Sequence, residues 1–140
     1  MENADYKAII EELLPHAEKE LSVAGEFMPF AGIMSADGDI EMFLVGTPIP
    51  EKDEEVMDSL VRDLQKKVEK GHISATCIFA DARVDKHGDG GAIKAVLADF
   101  EDQAGTAMRV FIPYSISGDN AVVFETTFGN DATPKIFKTK

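Results

Sequence analysis

The chain has 140 residues, 44% hydrophobic and 29% charged, enough for one domain with a real core and too apolar for a disordered one. Its 26 acidic against 14 basic residues leave a formal net charge of -12, a field that repels phosphate and makes nucleic acid a poor partner. No apolar stretch approaches the length that spans a bilayer, so no membrane association is expected.

Residues 5–24 carry an apolar stripe: Tyr6, Ile9, Ile10, Leu13, Leu14, Ala17 and Leu21 recur at steps of three and four. That spacing predicts a helix, capped by Asn3 or Asp5 at its start and Gly25 at its end. Pro15 falls inside it, which predicts a kink or two short helices in series. The segment Phe30–Ser35 and the segment Ile40–Val45 flank Asp37-Gly38, a pair that supplies the positive φ of a tight hairpin. In TPIPEKDEEVMDSLVRDLQKKVEKG, Val56, Leu60, Leu64 and Val68 recur every four residues. Acidic residues lead and lysines close the segment, as the helix dipole favours, and Gly71 is the predicted stop.

After Gly71 the period changes to two. Strands are predicted near 73–84, 92–101, 107–116 and 121–127, separated by DKHGDGG, EDQAG and SGDN. Pro113 predicts an edge or a bulge in the third of these, and the basic tail ATPKIFKTK is expected to fray. The order α-β-β-α-β-β-β-β gives an α+β fold over a single domain, 1–140: one mainly antiparallel sheet of about six strands, with both helices on one face.

Both faces of the mid-sheet strands are apolar: Ile78, Ala80, Ala82 and Val84 oppose Cys77 and Phe79. With two helices on one face, the second face needs cover, which predicts a homodimer packed through it. A strongly curled sheet is the alternative.

The DKHGDG stretch at 85–90 imitates the front of a calcium loop, with Asp85, His87, Asp89 and Gly90 in place. The position that needs a bidentate glutamate is Val96, and strands flank the loop, so it reads as a hairpin turn. A transition metal would need a third donor beside Asp81, Asp85 and His87, with Asp99 or Glu101 the available ones; no metal site and no cofactor is expected. Cys77 lies about 30 Å from His87 along an extended strand, too far for a thiol–imidazole pair, and reads as a small core residue.

Asp81, Arg83, Asp85 and His87 form the one polar ladder. Its plain reading is a solvated strand end with ion pairs to Lys94 or Arg109; its functional reading is a polar pocket in which Arg83 grips an anionic ligand. Such a pocket would join at least three of these residues to Asp99 or Arg109.

GEFMPFAGIMSADGDIEMF, at 25–43, resembles a loose group of small uncharacterised bacterial α+β proteins, in which a first helix runs into G-E-F-x-P-F and a hairpin turning on Asp-Gly. AVLADFEDQAGTAMRVFIPY, at 95–114, is similar to their pair of strands joined by a short Gly turn. Met28 stands where the group often has an aromatic residue. The resemblance implies architecture and no activity.

The N-terminus lacks a basic region followed by an apolar run, and the single cysteine fits a reducing compartment, so a cytoplasmic protein is expected. The leading expectation is a non-enzymatic binding or interaction protein with a basic protein partner, as in an immunity role. The alternative is a small-ligand or enzymatic site at Asp81, Arg83, Asp85 and His87, with no catalytic residue assigned.

Overall fold

The computed structural model describes residues 3–45, 51–85 and 92–137, with Asp85 described in its backbone alone. Among these residues two helices and seven strands form an α+β fold: α1 (Ala4–Ala24), β1 (Phe30–Ser35), β2 (Ile40–Phe43), α2 (Asp53–Glu69), β3 (Ile73–Asp85), β4 (Ala92–Asp102), β5 (Ala107–Ile116), β6 (Val122–Phe124) and β7 (Phe128–Asp131). The sheet runs β2-β1-β3-β4-β5-β6, and β7 also pairs with β5; every pairing is antiparallel. The predicted order holds. The seventh strand, Phe128–Asp131, lies between the strand predicted near 121–127 and the tail, where the sequence reading has no element.

α1 is one helix of 21 residues. Asn3 Oδ1 accepts from Tyr6 N at 3.0 Å, and Gly25 closes it at φ 78 with its N–H on the Leu21 carbonyl. The two-helix alternative does not hold. Pro15 is exposed, so the Glu11 carbonyl that loses its donor is on the solvent side and water can serve it. The Asp-Gly hairpin forms with Gly38 at φ 91, and Ser35 Oγ accepts from the N–H groups of Asp37 and Asp39 at 3.2 and 3.1 Å.

The helices take opposite faces of the sheet, which corrects the expectation that both share one. On one face Ile9, Leu13, Ala17 and Leu21 of α1 pack on Phe30, Met34, Cys77, Phe79, Ala98 and Phe100. On the other, Val56, Leu60 and Leu64 of α2 pack on Ala31, Ile33 and Ile78, joined by Ile136 and Phe137. Alternation demands this: β1 and β3 are apolar on both sides, and one helix can shield only about two strands. The homodimer expected through an uncovered second face therefore loses its premise over β1 and β3. Toward the far end of that face, Phe111 and Phe128 remain half-buried, stacked with ring centres 5.4 Å apart.

Gly32 is where α1 crosses β1. A Cβ there would lie 2.4 Å from Leu13 Cδ1, so glycine lets the Leu13 side chain pack directly on the strand, and a methyl would force that side chain to shift. Pro113 does not make β5 an edge. It sits where β7, paired up to Phe111, gives way to β6, paired from Tyr114, and its carbonyl accepts from Glu125 N at 2.8 Å. The tail is also docked rather than frayed as far as Phe137: Ile136 and Phe137 are buried, and Gln65 Nε2 donates to the Lys135 carbonyl at 2.7 Å.

Candidate functional sites

β3 outruns β1. Their pairing reaches Phe30 opposite Phe79, so residues 80–85 continue with β4 on one side only. Asp81 projects from this extension on the α1 face. Tyr114, two strands away on β5, reaches across β4 and donates its hydroxyl to Asp81 Oδ1 at 2.7 Å; Arg83 Nη1 donates to the same oxygen at 2.9 Å. The Asp81 side chain is 7% exposed and that of Arg83 49%, so the pair is a buried acceptor under a half-exposed cation. Burial and the bond to Asp81 push the Tyr114 hydroxyl up to about 12, while the bond to Asp81 raises the Arg83 guanidinium.

The ladder thus forms in part. Asp81 and Arg83 meet; the side chain of Asp85 and all of His87, with the DKHGDG turn, lie outside the described residues. The expected partners differ as well. Lys94 is opposite Arg83 in register, so two cations stand side by side, and Arg109 lies on the other face. Tyr114 is the residue missed from sequence. Finding it requires the registers of two hairpins, and a tyrosine within a strand carries no sign of its own. Beside this cluster an open cleft of about 980 Å³ lies between Lys94, Tyr114, Glu125 and Thr127.

Asp99 and Glu101 point to the α2 face, away from Asp81. Asp99, 3% exposed, takes Arg109 Nη2 at 3.3 Å and also Lys135 Nζ. Glu101, 1% exposed, receives the backbone N–H groups of Lys135, Ile136 and Phe137 at 3.0, 2.8 and 3.1 Å. Both carboxylates act as anchors for the C-terminal segment. The sheet separates them from the ladder, so the pocket joining Asp81 and Arg83 to Asp99 or Arg109 does not form. Among the described residues no group of three His, Cys, Asp or Glu side chains converges on a metal position. Cys77 is fully buried under α1, and burial drives its thiol well above the ordinary value, which leaves it a core residue.

A third feature lies at the β2 end of the sheet. The GEFMPF segment carries the chain from α1 to β1, with Phe27 and Phe30 buried and His16 set edge-on to Phe30 at 4.8 Å. A groove of about 260 Å³ runs between His16 and Glu20 of α1 and Met42 and Leu44 at β2, with Met28 at its lip. Met28, Met42 and Leu44 are 44, 39 and 58% exposed. No lysine or arginine lines the groove among the described residues. Glu26 precedes Met28 by two positions, Asp39 immediately precedes β2 and Glu41 lies within it; all three are exposed.

No family model, curated protein or solved structure matches the chain. No described helix is long and apolar enough to cross a membrane.

Proposed function

We propose that the chain is a non-enzymatic binding protein for a cationic protein partner. The observation that carries this reading is the Met28, Met42 and Leu44 patch, held open to solvent and flanked by carboxylates, in a chain of net charge -12. Exposed methionines adapt to varied apolar partners, and an acidic border speeds encounter with a basic surface and selects it. The polar clusters elsewhere are engaged in holding the fold: Asp81 by Tyr114 and Arg83, Asp99 by Arg109 and Lys135, Glu101 by three backbone N–H groups. An immunity-like role, in which the acidic protein masks a basic one, is the narrower form of this proposal. A cytoplasmic setting suits the single buried cysteine.

The immobilised chain should retain basic proteins at about 20 mM salt and release them as screening rises near 0.5 M. Recovery of no protein partner at low salt refutes the reading.

One observation supports a second reading, a small anionic ligand. Arg83 and Lys94 stand side by side, with Lys94 lining the open cleft beside Tyr114. Saturable binding of phosphate or a dicarboxylate, lost on Arg83→Ala with Lys94→Ala, would support it. A homodimer through Phe111 and Phe128 is the remaining proposal for the second face. A light-scattering mass of one chain at micromolar concentration counts against it.

A further inference from the structure

β2 ends the sheet: β1 pairs with one side of it, and among the described residues no strand pairs with the other. An unpaired edge offers a row of N–H and C=O groups to any extended chain. Proteins usually blunt such an edge with lysine, proline or a bulge. Ile40–Phe43 carries neither lysine nor proline of its own, its pairing with β1 is regular, and the nearest cation among the described residues is Lys67 of α2, over the α2-face ring of Phe43 at 5.2 Å. The other end of the sheet is broken into the short β6 and β7. The groove described above opens beside β2, on the face where α1 lies.

Resting on the cationic-partner reading, we infer that the partner docks as an added strand on β2, through an extended segment that alternates apolar and basic residues. The alternation follows from the pleat. A strand laid on β2 places every second side chain on the α1 face, beside Met42, Leu44 and Met28, and the others beside Glu41, on a surface where Asp37, Asp39 and Glu41 outnumber Lys67 and Lys70. On the groove side Glu20 is the lining carboxylate, with Glu26 close in sequence to Met28. A second copy of this chain is the poorer occupant. Strand pairing across a two-fold would set two such acidic borders together, each on a chain of net charge -12.

The test uses the full chain labelled with nitrogen-15 and two peptides of about eight residues, one alternating valine and lysine, the other valine and glutamate. The lysine peptide should shift amide signals of His16, Glu20, Met28 and residues 40–45, slow exchange of the β2 amides, and bind at least about tenfold tighter than the glutamate peptide. Met42→Asp with Leu44→Asp should weaken it by about tenfold while leaving signals of β3 to β5 in place. Glu20→Lys with Glu41→Lys should reverse the preference between peptides.

Lysine-peptide shifts confined to other surfaces overturn the β2 site and leave the cationic-partner reading standing. Equal binding of both peptides at β2 overturns that reading as well. Binding of neither up to millimolar concentration, or a concentration-dependent dimer abolished by Met42→Asp, overturns the docking proposal.

Discussion

Replacing Glu101 by alanine should release the C-terminal segment. The carboxylate is 1% exposed, and Oε1 accepts from the N–H groups of Lys135, Ile136 and Phe137, with Oε2 also reached by Lys135 N at 3.0 Å. Hydrogen bonds to a charged group contribute about 1.5–3 kcal/mol each, but these three act as a unit and do not add. The ceiling is set by what undocks. Once the anchor is lost, the segment can lift into water, satisfying its N–H groups and exposing Ile136 and Phe137, each of which contributes about 1.5–3 kcal/mol when buried. The expected loss is therefore about 3–5 kcal/mol, within the range for breaking a buried charged network. Glu101→Gln isolates the chemistry. Its carbonyl can replace Oε1 and keep all three donors, while its amide meets Lys135 N with a second donor, so the loss should be about 1–2 kcal/mol. Urea unfolding gives the energies, and amide exchange at 135–137 should accelerate in the alanine variant before the sheet opens. An alanine variant within about 0.5 kcal/mol of the parent, or a glutamine variant as damaged as the alanine one, refutes the anchoring argument.

Thr76 Oγ1 is buried with no hydrogen-bond partner among the described residues, so Thr76→Val should raise stability by about 1 kcal/mol, read as a higher urea midpoint at unchanged slope. Gly32→Ala should cost about 1–3 kcal/mol because the new methyl meets Leu13 and Ile9, and trimming Leu13 to valine in the same chain should recover part of it. Burial pushes the hydroxyls of Tyr6 and Tyr114 up to about 12 from 10.0. The unfolded chain releases the Cys77 proton from 9.0 and the tyrosine protons from 10.0 while the folded state keeps them, so stability should be flat below about pH 9 and fall from there toward 12; Tyr114→Phe should make the fall above pH 10 shallower. A midpoint that stays constant to pH 12 would contradict the burial of both hydroxyls.

Local chemistry made the elements legible. Asn3 and Gly25 bracket α1, Gly38 turns the first hairpin, and the four-residue recurrence of Val56, Leu60 and Leu64 marks α2. What failed were the statements that depend on pairing. β7 is four residues containing Gly129, Asn130 and Asp131, poor strand formers whose pairing with β5 is decided by register and close approach; a Cβ on Gly129 would sit 2.5 Å from the Arg109 carbonyl. The docking of residues 135–137 was equally hidden. Its apolar content is two side chains, and its anchor is a glutamate 34 positions away from Lys135.

The split of the polar residues between faces has a single cause. Asp81 on β3 and Asp99 on β4 both lie in strands apolar on either side, so neither strand alone says which face is which. The β3–β4 register decides it, setting Cys77 against Phe100 and Phe79 against Ala98 under α1. With those aromatic rings fixed there, Ile78 pairs with Asp99 and Thr76 with Glu101, and both carboxylates are forced to the α2 face. A slip of one residue would turn them into the α1 core beside Asp81, three carboxylates in an apolar layer, at a desolvation cost no neighbour there could offset. On the α2 face Arg109, Lys135 and the C-terminal N–H groups meet them instead. The burial of Phe79 and Phe100 thus selects the register, and the register makes anchors of Asp99 and Glu101 and leaves Asp81 to Tyr114 and Arg83.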